Sequence, residues 1–87
     1  MSNIIFTEKG FEHYLYWQTQ DRKTLKRINS LLKSIDRDGA MSGIGKPEKM
    51  KYRENEYSLR ISDTDRLVYE YSDDSIIVKS CRGHYEE

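Results

Sequence analysis

Two periodicities divide the chain. Before Gly39 the apolar positions recur every three to four residues, and from Glu48 onward they recur every two. A short apolar run, Asn3 to Phe6, precedes the first periodic stretch and reads as a strand. Thr7 is placed to cap a helix whose inward side reads Phe11, Tyr14, Leu15 and Gln18. The Thr19-Gln20-Asp21 stretch interrupts it, and Asp21 or Thr19 can cap a second helix. There Leu25, Ile28, Leu31, Leu32 and Ile35 form one apolar stripe. At about 100° per residue, Arg22, Lys26, Lys33 and Arg37 fall on the opposite side, flanked by Lys23 and Arg27. Gly39 to Pro47 is irregular, broken by Gly39, Gly43, Gly45 and Pro47.

The two-residue period then predicts strands. Met50 and Tyr52 alternate, then Tyr57, Leu59 and Ile61, then Leu67, Tyr69 and Tyr71, then Ile76, Val78 and Ser80. Polar turns separate them at Arg53-Glu54-Asn55-Glu56, Ser62-Asp63-Thr64-Asp65 and Ser72-Asp73-Asp74-Ser75. Strands joined this way form an antiparallel meander. The expected order is β-α-α-β-β-β-β, an α+β domain with two helices packed on a curved antiparallel sheet. Turn positions set an approximate register. They place Glu48 opposite Ile61, Arg60 opposite Leu67, and Arg66 opposite Cys81 and Arg82, with His84 just beyond, allowing a slip of one or two residues or a bulge.

Composition narrows the class. Eighty-seven residues make a single domain spanning 1–87. A chain this short buries only about 60% of its unfolded surface, and with 36% hydrophobic residues against 34% charged it is expected to lean on a partner or a second copy. The net charge is zero but unevenly spread. Arg22 to Arg37 carries six cations against one acid, Asp36, whereas Asp63, Asp65, Glu70, Asp73, Asp74, Glu86 and Glu87 gather the acids. Local basic patches bind polyanions even when the whole chain is neutral. Cys81 is the lone cysteine, which excludes an intramolecular disulfide and fits a reducing compartment. No secretory leader pattern and no apolar stretch of roughly 20 residues is present, so a cytoplasmic location and no membrane association are expected.

The register arithmetic gathers Glu48, Arg60, Arg66 and His84 at one end of the sheet. Those groups are complementary: a carboxylate takes a proton, an imidazolium gives one, and guanidinium groups stabilise an anionic transition state. That equipment suits attack of a ribose 2′-hydroxyl on its neighbouring phosphate. Lys46, Lys49 and Lys51 beside Glu48 favour its carboxylate form and offer grips for phosphate, while Glu86 and Glu87 favour the imidazolium of His84. Each residue also has a plainer reading. Glu48 fits a solvated carboxylate, Arg60 and Arg66 fit ion-pair partners of Asp63 or Asp65, and His84 fits an incidental terminal histidine. His13, beside Glu12, reads as a surface residue, and the basic helix face as a solvated one. Most of the tyrosines read as sheet filler, with Tyr85 the exception. Gly43-Ile44-Gly45 lacks the rest of a nucleotide-binding fingerprint. One cysteine and two distant histidines offer no zinc spacing, so no metal and no cofactor are expected. Cys81 reads as a buried structural thiol.

Across almost the whole chain, a run of segments resembles a known family. Tyr14-Leu15-Tyr16-Trp17-Gln18, the basic helix with Ile28-Asn29, Gly43-Ile44-Gly45-Lys46-Pro47-Glu48, Arg60-Ile61, Asp65-Arg66-Leu67-Val68-Tyr69 and Cys81-Arg82-Gly83-His84-Tyr85 are similar, in this order, to the YoeB toxins of the RelE superfamily. The resemblance implies a microbial-ribonuclease-like α+β fold and a toxin of a type II toxin–antitoxin system. Its activity would be metal-independent endoribonuclease cleavage of mRNA in the A site of the bacterial ribosome, inhibiting translation. It also implies a YefM-like antitoxin, a homodimer, and operator DNA bound only through the antitoxin complex. Carried over by position, Glu48 matches the general base, Arg66 the phosphate-stabilising arginine, His84 the general acid and Tyr85 a supporting residue. Lys51 and Arg60 match basic positions around the scissile phosphate. Arg22, Lys26, Lys33 and Arg37 are the expected ribosome contacts. The chain departs from the family in adding Glu86 and Glu87 behind the tyrosine.

A second class of function is a non-catalytic binding module, either a ribosome blocker or a corepressor acting with an antitoxin. It would use the basic helix face and need none of Glu48, Arg66 or His84.

Overall fold

The computed structural model describes residues 3–40, 47–51, 53–72 and 74–83. The elements run β1 (Asn3–Phe6), α1 (Glu8–Gln20), α2 (Arg22–Asp38), β2 (Glu48–Lys49), β3 (Glu56–Arg60), β4 (Arg66–Ser72) and β5 (Ser75–Ser80). Helix α1 begins where the Thr7 hydroxyl accepts the Gly10 amide at 3.1 Å. The same hydroxyl donates to the carbonyl of Lys79, 3.2 Å away, tying the helix start to β5. Asp21 alone separates the helices and caps α2, its carboxylate accepting from the Lys23 and Thr24 amides at 3.1 and 3.3 Å.

The sheet order is β1-β5-β4-β3-β2. Strands β2 to β5 form the expected antiparallel meander. The first strand adds to its far side, running parallel to β5 with Asn3 opposite Ser75 and Phe6 opposite Val78. A parallel pair needs a crossover connection, and the long excursion through both helices supplies one. Strand β5, last in sequence, therefore lies inside the sheet.

Helix α2 buries the predicted stripe. Ile28, Leu31 and Ile35 are fully buried and Leu32 nearly so, against Leu59, Leu67, Tyr69, Ile76 and Val78 of the sheet. Tyr69 stacks on Tyr57, its register partner, at a ring separation of 5.7 Å. Its hydroxyl donates to the Ala40 carbonyl at 2.8 Å, so burial is achieved without an orphaned phenol.

Helix α1 corrects the sequence expectation. Phe11 and Leu15 are 49% and 43% exposed, and Gln18 is also at the surface. The buried positions are Gly10 and Trp17, with His13 and Tyr14 partly buried between them. The physical reason is Gly10. A Cβ there would lie 2.3 Å from the Val78 carbonyl oxygen. The helix is rolled so that its one position without a side chain meets the strand, and that roll turns the Phe11–Leu15 edge outward.

The β2 register is a second correction. Glu48 pairs with Ser58, not Ile61, and Lys49 pairs with Tyr57. The ladder closes through the Met50 amide to the Glu56 carbonyl at 2.8 Å, so the connection begins at Lys51 and β2 is shorter than the pattern suggested. Asn55, at φ 59°, occupies the left-handed region in that connection, as asparagine does more readily than most residues. The other registers fall within the allowed slip, Arg60 standing one residue from its expected partner Leu67. Arg60 pairs with Arg66, and a bulge at Val68/Tyr69 brings Ser80 opposite Val68. Among the described residues, no helix is long and apolar enough to cross a membrane.

Candidate active site

Alternation along the strands directs Leu59, Leu67 and Tyr69 toward the helices and leaves Ser58 and Arg66 on the opposite face of the sheet. Glu48 and Ser58 are register partners, and Arg66 reaches them diagonally from β4. One terminal nitrogen of the Arg66 guanidinium lies 3.7 Å from the Glu48 carboxylate, and Arg66 Nε donates to the Ser58 hydroxyl. The two charges are unequally placed: the Arg66 side chain is 23% exposed and Glu48 is 75% exposed. Ser58 is buried, so its hydroxyl fixes the fork of Arg66 from below while the carboxylate stays in solvent. This arrangement offers an accessible proton acceptor beside a fixed cation.

The sequence expectation missed Ser58. The sequence carried no signal for it, because the expected register set Glu48 opposite Ile61 and only the fold pairs Glu48 with Ser58. Arg60, expected at the phosphate, turns away. Its Nε donates to the Ser62 carbonyl at 3.3 Å and its guanidinium pairs with Asp63. Lys49 and Lys51 are exposed on and just after β2. Lys46, His84 and Tyr85, together with Glu86 and Glu87, lie outside the described residues.

The segment that leads into His84 is tied down at Cys81, Arg82 and Gly83. The Gly83 amide donates to Asp65 Oδ1 at 2.8 Å, and the Gly83 carbonyl accepts the Arg66 amide at 3.0 Å. Trp17 Nε1 donates to the Cys81 carbonyl at 2.8 Å, and the Cys81 amide donates to His13 Nδ1 at 3.1 Å. The Arg82 guanidinium lies over the Tyr16 ring, 3.7 Å from its centroid. Gly83 holds φ at 83°, a conformation glycine adopts without a steric cost. His13 is thus not the plain surface residue that its neighbour Glu12 suggested, because the same roll of α1 that buries Gly10 brings it against the Cys81 amide.

The electrostatics follow the contacts. Burial works against the Asp65 carboxylate, but the Gly83 amide and the Ser62 and Thr64 hydroxyls outweigh it and hold its pKa below the ordinary value. Burial, helped by Lys9 and Arg82, lowers the pKa of His13. Burial pushes the Cys81 thiol up to about 12, which makes it a poor nucleophile and agrees with a structural role.

Arg22, Lys26 and Lys33 are exposed on the outer face of α2, whereas Arg37 pairs with Asp38 at 2.8 Å. Among the described residues there is no group of three or more His, Cys, Asp or Glu side chains that could hold a metal ion.

Comparison with known proteins identifies the family. Residues 6–85 match the model of a YoeB-like toxin of bacterial type II toxin–antitoxin systems. Toxin YoeB of Streptomyces coelicolor is 47% identical over 83 residues, covering 94% of this chain and 98% of the relative. The YoeB dimer from Staphylococcus aureus superposes with a TM-score of 0.91 at 50% identity, covering 97% of this chain and 98% of that one. The YoeB–YefM complex from the same organism gives a TM-score of 0.88 at 50% identity, covering 98% and 99% of the two chains. Sequence and fold agree over nearly the full length: the chain belongs to the YoeB-like toxins of bacterial type II toxin–antitoxin systems.

Proposed function

We propose that the chain is an endoribonuclease that cuts mRNA in the A site of the bacterial ribosome, by proton transfer between its own side chains. The observation that carries the reading is the Glu48–Arg66–Ser58 cluster, with Arg66 also bonded through its backbone to Gly83, the residue before His84. In this reading Glu48 takes the proton from a ribose 2′-hydroxyl. The O2′–P bond forms, the P–O5′ bond breaks, and the His84 imidazolium delivers a proton to the departing 5′-oxygen. Arg66 neutralises the charge that builds on the phosphoryl oxygens. The products are a 2′,3′-cyclic phosphate, or its hydrolysis product, and a 5′-hydroxyl. In the free protein Glu48 rests against Arg66; an entering phosphate replaces it there and releases the carboxylate to act as base. Tyr85 supports the site, and Lys46, Lys49 and Lys51 hold flanking phosphates.

Partners follow from the family. The relatives solved as a YoeB–YefM complex and as a YoeB dimer support a YefM-like antitoxin and a homodimer for this chain. Operator DNA would be reached through the antitoxin complex, and ribosomal action requires the cytoplasm. The exposed cations of α2 supply the ribosome contact.

Primer extension on messages in programmed bacterial ribosomes tests the reading. Wild type should cut, and Glu48→Gln or His84→Gln should each lower the rate by about 10² to 10⁴. Intact message with folded wild-type protein overturns the enzymatic reading. Growth arrest that survives His84→Gln but is lost on reversing Lys26, Lys33 and Arg37 would establish a binding module instead.

A further inference from the structure

The β5 ladder ends at Ser80, so the peptide groups beyond it need other partners. Helix α1 supplies them at Cys81. Trp17 and His13, four positions apart on one side of the helix, take its carbonyl and its amide respectively. The Cys81 residue is fully buried, and an amide left unmatched there forfeits the hydrogen bond it would make to water in the unfolded chain. A backbone N–H only donates. Nδ1 of His13 must therefore carry a lone pair, which makes the imidazole neutral with its hydrogen on Nε2.

We infer that His13 is a positioning residue: its neutral imidazole holds the Cys81 amide and so sets the course of the segment from Cys81 to Gly83, the residue before His84, and a proton on Nδ1 undoes that hold. For the reaction, this rests on the proposed role of His84 as general acid. The surroundings of His13 oppose such a proton. Burial comes first, then Lys9 from α1 and Arg82 from the following segment, against the weaker pull of Glu12 on α1 and Asp65 on the loop before β4. The hold is thus in place at neutral pH and is released as the medium turns acid.

The test needs no RNA. Nitrogen-15 spectra of the full chain would follow His13 through its titration while hydrogen exchange reports protection of the Cys81 amide, with the Leu31 amide of α2 as core reference. Cys81 protection should fall by up to about tenfold per pH unit as the pH drops from the ordinary histidine value of 6.5 to the lowered His13 midpoint, and level off below it, while Leu31 stays protected. His13→Asn offers a side-chain oxygen that accepts but does not titrate, so its Cys81 protection should persist without the acid step. His13→Leu should lose it at every pH. Constant protection across the titration, the same acid step in His13→Asn, or a hydrogen found on Nδ1 at neutral pH would each overturn the inference. Ribosomal cleavage then reports on the reaction: the wild-type pH profile should carry an acid limb absent from His13→Asn, and superimposable profiles would overturn the link to catalysis. Message left uncut while Cys81 still tracks His13 would sink the proposed nuclease and leave the positioning role supported.

Discussion

Asp65 and Gly83 meet through a single hydrogen bond, the Gly83 amide donating to Asp65 Oδ1 at 2.8 Å. The other carboxylate oxygen accepts from Ser62 and Thr64 at 2.9 and 3.0 Å. One side chain therefore closes its own turn and anchors the end of another strand. Its pKa is lowered by those bonds, so the folded state binds the proton less well than the unfolded chain. The resulting stability is complete above the unfolded value of 3.8 and is lost as pH falls through the folded one. Asp65→Asn should cost about 1 kcal/mol at pH 7. Urea midpoints across the acid range should show the two proteins converging below that window.

Ser58→Ala removes the hydroxyl beneath Arg66 and little volume. The fold should tolerate it, while kcat/KM for message cleavage falls by about tenfold because the guanidinium loses its fixed direction. Arg66→Lys should not restore activity, since an ammonium cannot bond a hydroxyl and a phosphate with one planar fork. Steady-state cleavage beside a thermal melt of each variant separates the two effects.

Gly10→Ala places a methyl against the backbone of β5, where nothing flexible can yield. Overpacking of this kind costs about 1–3 kcal/mol. Chemical denaturation should show the loss, and Glu8→Ala, exposed in the same first turn, should stay within about 0.5 kcal/mol of wild type.

Trp17→Phe keeps an aromatic ring in the core but leaves the Cys81 carbonyl without its donor. A destabilisation of about 1–3 kcal/mol is expected. Hydrogen exchange should show the Cys81 and Gly83 amides opening before those of α2.

Much of this molecule is legible in the chain. The stripe from Leu25 to Ile35 and the alternation from Tyr57 to Val78 determine which faces are buried, because a single residue's shift would expose the whole set. The turns at 62–65 and 72–75 are short enough to fix their hairpins. The β2 register was not legible, since a two-residue strand carries almost no pattern and its partner is selected by backbone bonds near Met50. The roll of α1 was hidden for another reason. Phe11 and Leu15 have the correct spacing, and only the close approach at Gly10, a tertiary contact with Val78, turns them outward. Of the site, Glu48 and Arg66 could be brought together by counting, whereas Ser58 and Asp65 looked like ordinary strand and turn residues. His13 was obscured by its acidic neighbour.

The placement of β5 has a bearing on synthesis. Among the described strands it comes last in sequence, yet it is the one that joins β1 to the meander. A nascent chain that has not passed Ser80 leaves β1 without a strand to pair with and offers Asp65, His13 and Trp17 nothing to hold. Joining β1 to the meander and delivering the segment before His84 thus wait on the same strand.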